Sequence, residues 1–146
     1  MFGFMKKLQG SFAELANTSI KSENKDLMEA MVASAVLVAY ADGELSGEEL
    51  DKTRKILEST SQLAVFGQEP MKIFDKYCDK MEASKRQGKF DLLKEVSEVQ
   101  SGSEDAARVL IMAIEVADSE GGIGNEEMEM LKLIAGKIGL KLENFL

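Results

Sequence analysis

The chain contains no histidine and no tryptophan, a single cysteine, a single proline and few aromatic residues. Without histidine it lacks the usual general base and the usual activator of a serine or cysteine nucleophile, so hydrolase triads are excluded. The lack of histidine and of a second cysteine also removes the donor sets that zinc prefers. Cys78 has no partner for an internal disulfide, and no segment combines a basic start, an apolar core and a small-residue cleavage site, so a cytoplasmic protein is expected. The longest strongly apolar stretch, Ala30 to Ala41, falls well short of the ~20 residues that cross a bilayer, and direct membrane insertion is not expected. No glycine-rich phosphate loop is present, because Gly121-Gly122-Ile123-Gly124 does not follow a strand. No organic cofactor is therefore expected, and a binding or sensing module is a better reading than an enzyme.

Alanine, leucine, methionine, glutamate and lysine dominate what remains, and these residues lose little in a helix. With 146 residues, enough to bury one core without staples, the expectation is a single all-α domain over residues 1–146. The net charge of −8 opposes binding to nucleic acid, which depends on neutralising phosphates. That charge is uneven, since Lys6, Lys7, Lys21 and Lys25 balance the first residues and leave the rest of the chain strongly acidic.

The chain also matches itself at an offset of 78 residues. The segment Asp26 to Ala41 runs into Asp42-Gly43-Glu44-Leu45-Ser46-Gly47-Glu48-Glu49-Leu50, and Glu104 to Ser119 runs into Glu120-Gly121-Gly122-Ile123-Gly124-Asn125-Glu126-Glu127-Met128. The repeat halves are approximately residues 26–60 and 104–138. Their first helices are apolar nearly all round, which marks two central helices enclosed by others. Each is followed by an amphipathic helix, with Leu50, Ile56 and Leu57 in one half and Met128, Leu131, Ile134 and Ile138 in the other.

Further helices are predicted over residues 2–19, with Phe4, Leu8, Phe12 and Leu15 on one face; 69–85, with Met71, Phe74, Tyr77, Cys78 and Met81; and 89–101, with Phe90, Leu93 and Val96. This makes about seven. Pro70 suits a first helical turn, while Gly67, Gly88, Gly102 and Gly139 act as breakers or caps. Cys78 reads as a small buried hydrophobe on an apolar stripe. The start, from Met1 to Leu8, could lie on an anionic membrane surface, but packing of its apolar face on the body is the better reading.

The two inter-helix loops gather Asp42, Glu44, Glu48, Glu49 and Asp51, and Asp118, Glu120, Glu126, Glu127 and Glu129. Asp42 to Glu49 resembles the second half of a calcium EF-hand loop, but Val38 and Tyr40 stand where that loop needs carboxylates, so any cation site must be built differently. Hard oxygen donors of this kind suit calcium, magnesium or manganese. A structural reading stands beside the chemical one. Ser46-x-x-Glu49 is a capping box, and Glu48, Glu126 and Glu127 occupy first turns where carboxylates favour the helix dipole. Asp42, Asp118 and Glu120 fit that reading less well, because they sit at helix C-termini, where negative charge is unfavourable. The candidate ligand set is Asp42, Glu48, Glu49, Asp118, Glu120, Glu126 and Glu127.

Taken with the Phe- and Lys-containing start, the Ala64-Val65-Phe66-Gly67 stretch and the ending Ala135-Gly136-Lys137-Ile138-Gly139-Leu140 followed by Phe145, the paired acidic motifs resemble the tellurite-resistance TerB family. That resemblance implies a cytoplasmic all-helical protein of duplicated design, linked to resistance to tellurite and other stresses. It implies a protein partner, including a membrane-bound component of the same resistance system, and calcium-binding partners. It also implies an acidic surface able to bind a divalent cation, carried here by Asp42, Glu48, Glu49, Glu120, Glu126 and Glu127. The chain departs from the pattern at Glu120, where an aspartate is expected, and at Gly124, where an oxygen side chain is expected. The reading is a non-enzymatic adaptor or sensor; the alternative is a structural interaction scaffold with no metal site.

Overall fold

The structure, a computed structural model, describes residues 24–43 and 45–146, with the side chain of Glu120 left undescribed. All regular structure among these residues is helical, as the composition predicts. Helix α1 covers residues 24–39; α2 is Gly47–Glu58, α3 Ser61–Ala64, α4 Glu69–Ala83, α5 Lys85–Val96, α6 Glu104–Ala117 and α7 Asn125–Lys137. Short 3₁₀ turns at Asp118–Glu120 and Leu142–Asn144 follow α6 and α7. The all-helical architecture expected from sequence is present, and α1, α2, α4, α5, α6 and α7 answer to six of the predicted helices. One difference is α3, a single turn that sequence periodicity is too short to reveal. The helix predicted over residues 2–19 lies outside the described residues.

The central pair is α1 and α6. Ala30, Val32, Ala33, Ala35, Val36 and Leu37 of α1 and Val109, Leu110 and Ala113 of α6 are entirely buried. Ser34 joins the two helices at mid-length: its hydroxyl is buried and lies 2.8 Å from the Met31 carbonyl on its own helix and 3.3 Å from the Val109 carbonyl on α6. A hydroxyl buried without such acceptors would cost ~1–3 kcal/mol. Burial is less complete on α6, where Ile111 is 45% exposed.

The surrounding helices contribute Leu57 from α2, Phe74, Tyr77, Cys78 and Met81 from α4, and Leu131, Ile134 and Ala135 from α7. Leu50, Ile56, Met71 and Met128, also expected on those stripes, are half-buried against the same cluster. Phe74 has no exposed surface, and the Arg54 guanidinium lies 5.1 Å from its ring centroid while bonding Asp75 at 2.9 Å.

Helix α5 corrects the sequence reading. It begins at Lys85, capped by Ser84, whose hydroxyl accepts from the Gln87 N–H at 3.3 Å. The buried stripe is Leu92 and Val96, and Phe90, expected inside, is 71% exposed. Gly88, expected to break the helix, lies within it. A Cβ there would stand 2.8 Å from Met81 Sδ and 3.0 Å from the Lys80 carbonyl oxygen, so the glycine is what lets α5 approach α4. Gly139, by contrast, is a terminator as expected: its φ is +70°, and the adjoining Ile138 carbonyl accepts from the Gly102 N–H at 2.8 Å, tying the end of α7 to the loop before α6.

Candidate functional site

The two acidic loops occupy corresponding places in the repeat, since α2 begins at Gly47 and α7 at the equivalent Asn125. In the first loop the chain leaves α1 through Tyr40 and Ala41, whose N–H groups bond to Val36 and Val38, and turns at Gly43 with φ +108°. In the second loop Asp118 opens a 3₁₀ turn that closes at Gly121 with φ +85°. Only glycine adopts such angles without strain.

Both helices that follow are capped locally. The Ser46 hydroxyl accepts from the Glu49 N–H at 3.2 Å, and the Glu127 carboxylate accepts from the Gly124 N–H at 2.9 Å. Each half thus supplies a different arm of a capping box, because Gly124 has no side chain to act as Ser46 does. Of the capping box read at Ser46-x-x-Glu49 the structure shows the Ser46 arm, while Glu127, expected only to favour the helix dipole, also caps.

Capping does not account for where the loops meet. Asp42, Leu45, Glu49 and Thr53 from the first half and Val116, Ser119 and Glu127 from the second line a single cleft of about 80 Å³, floored by Ala39. Glu49 and Glu127 are equivalent in the repeat, and both are half-buried. They face the cleft because they follow α1 and α6, the two helices packed side by side at the centre. The Thr53 hydroxyl bonds the Glu49 carbonyl at 3.0 Å, and the Ser119 hydroxyl bonds the Val116 carbonyl at 2.7 Å. Both hydroxyls lie outside the candidate set drawn from the sequence. Thr53 could have been found from its place one turn beyond Glu49 on the same helical face.

The structure thus brings three candidates together: Asp42, Glu49 and Glu127. Glu48 and Glu126, one residue earlier on α2 and α7, are exposed in first turns and do not line the cleft. Asp118 caps the end of α6, is exposed and also lies off the cleft. The side chain of Glu120 lies outside the described residues. Among the described residues, no three carboxylates or other ligating side chains come close enough together to hold a metal ion directly.

The remaining reactive groups are shielded. Burial pushes the Cys78 thiol up to about 12, which keeps it protonated. Burial also raises Tyr40, whose hydroxyl donates to Glu82 at 2.8 Å. Cys78 is thus a packed apolar residue, as its place on the α4 stripe predicts.

A duplicated all-α protein, with two central helices and an acidic cleft between their loops, is the class that this fold and site define. The family model for tellurite resistance protein TerB matches residues 28–146, and the chain belongs to the TerB family. No curated protein and no solved structure matches it significantly. Membership places its role broadly in tellurite resistance. Among the described residues no helix is long and apolar enough to cross a membrane.

Proposed function

We propose that the protein is a non-enzymatic, cytoplasmic adaptor of tellurite and stress resistance, and that its acidic cleft accepts one cationic group. The carrying observation is that Asp42, Glu49 and Glu127, drawn from both halves of the repeat, line one cleft. Carboxylates gathered in one cleft favour a cation among them.

The spacing of these donors bears on the ligand. No three of the described side chains approach as closely as direct coordination of a bare ion requires. A divalent ion that keeps several waters, as magnesium usually does, suits such a site, and so does the ammonium or guanidinium of a partner's basic segment. Calcium and manganese would be held through the same oxygens. Affinity for a free ion should be modest, about 10⁻⁴–10⁻³ M, the range of sites without a full ligand set. A protein partner, including a membrane-bound component of the resistance system, would present lysines or arginines, and its binding would weaken with salt.

Thermal melting tests this reading. Asp42→Asn and Glu49→Gln should raise the melting temperature of the ion-free protein, because each removes a repelling charge. Magnesium or calcium at 100 times its dissociation constant should stabilise the unmutated protein by about 2.7 kcal/mol, and the variants should lose most of that gain. Neutral or destabilising substitutions, with curves indifferent to millimolar ions and to a lysine-rich peptide, would return the protein to the scaffold reading.

A further inference from the structure

A second group of carboxylates lies at the opposite end of α1 from the cleft. Asp26 and Glu29 stand one turn apart on α1, while Glu95 is in the last turn of α5 and Glu98 follows just beyond it, its N–H bonded to the Glu95 carbonyl at 3.2 Å. The Glu95 carboxyl is within hydrogen-bonding reach of Glu98, and Glu98 of Asp26. One oxygen of Glu95 is wholly buried and has no hydrogen-bond partner. A buried carboxylate oxygen left unpaired is costly, and an ionised group at a helix C-terminus is also opposed by the helix dipole. The dipole cost disappears and the burial cost falls if the carboxyl is neutral, because a neutral unpaired oxygen is cheaper to bury than a charged one.

We propose that Glu95 holds a proton in the folded protein and donates it to Glu98, making the pair a proton-sensitive latch between residues 26–29 of α1 and the end of α5. The acidic groups facing it among the described residues support this assignment. Asp26 and Glu29 approach from α1, and Tyr77, which is buried and interacts with Glu29, approaches from α4. Lys76, also on α4, is a neighbouring cation that acts against them on Glu95. Burial, then the charges of Glu98 and Glu29, raise Glu95 above the ordinary glutamate value; burial, then Asp26 and Glu29, raise Glu98. A single proton on Glu95 satisfies Glu98 as acceptor and removes one of four like charges. When it leaves to solvent, the ionised pair on α5 faces Asp26 and Glu29 on α1, and the helices repel.

The sign follows from the raised folded-state value. Glu95 contributes stability that is fully present below the ordinary glutamate range and is lost as pH rises through its own midpoint. The latch is therefore closed below that midpoint and loosened above it.

Carboxyl carbon chemical shifts of the full chain, followed by NMR against pH, test it without a variant. Glu95 should titrate above the exposed glutamates in the same spectrum, and amide protection over residues 26–31 should fall severalfold across that midpoint. Glu95→Gln keeps an N–H donor for Glu98 but cannot ionise, so its protection should lose the step at the Glu95 midpoint. Glu98→Gln should move the Glu95 midpoint down. Titration of Glu95 together with the exposed glutamates, or an unchanged pH profile in Glu95→Gln, would overturn the proposal. A Glu95 midpoint shifted by millimolar calcium or magnesium would also overturn it, by showing that a metal and not a proton neutralises the group.

Discussion

Glycine to alanine is one chemical change, yet the structure gives it opposite signs at Gly88 and Gly136. Both lie inside helices, α5 and α7, where alanine is intrinsically better by up to ~1 kcal/mol. At Gly136 nothing lies within 4 Å of the new Cβ, so the gain should appear nearly whole. At Gly88 the Cβ would meet Met81 Sδ at 2.8 Å and the Lys80 carbonyl oxygen and carbon at 3.0 and 3.1 Å. The thioether can swing aside, but the Lys80 backbone is held within α4 and cannot. Overpacking of that kind costs ~1–3 kcal/mol, which offsets the helical gain and leaves a net loss of about 1 kcal/mol. For a chain of this size that is a fall of roughly 2–5 °C in melting temperature, against a rise of similar or smaller size for Gly136→Ala. Urea unfolding of both variants beside the unmutated protein measures the two signs together. Stabilisation by Gly88→Ala would refute the close approach of α4 and α5.

Two further outcomes test the core. Phe74→Ala should cost ~3–5 kcal/mol, at the high end because the wholly buried ring also carries the Arg54 guanidinium, and chemical denaturation will show it; a loss under 1 kcal/mol would mean that α4 is not packed as described. Cys78, buried and with its thiol pushed up to about 12, should resist iodoacetamide at pH 8 until denaturant is added. Rapid stoichiometric alkylation of the folded protein would contradict its placement.

Much of this molecule was legible in one property of its sequence, the self-match at an offset of 78 residues. Because each half places an apolar helix before an acidic loop and an amphipathic helix, the repeat identifies the central pair and sets α2 and α7 at equivalent starts. The register of α5 was not legible. Gly88 looks like a breaker in one dimension, and only the nearness of α4 turns it into a packing requirement; the face that α5 turns to α4 holds Gly88, and Phe90 lies off the buried stripe of Leu92 and Val96.

The candidate site divided for a similar reason. Glu48 and Glu49, like Glu126 and Glu127, are adjacent in sequence, but neighbours on a helix point about 100° apart, so only one of each pair can face the cleft. Composition counts both alike. That the loops share one cleft depends on the side-by-side packing of α1 and α6, which the repeat suggests only by its symmetry. Capping and clustering also proved compatible, since the Glu127 carboxylate bonds the Gly124 N–H while lining the cleft.

The central claim is that both halves of the repeat build one cation-accepting cleft. A residue-resolved NMR titration with magnesium, calcium and manganese in turn tests it most directly. Resonances of Asp42, Glu49 and Thr53 from the first half and of Ser119 and Glu127 from the second should move together, along one curve with a single midpoint, while the exposed Glu48, Asp118 and Glu126 lag behind. Separate midpoints for the two halves, or weak uniform shifts over all acidic residues, would contradict a shared site.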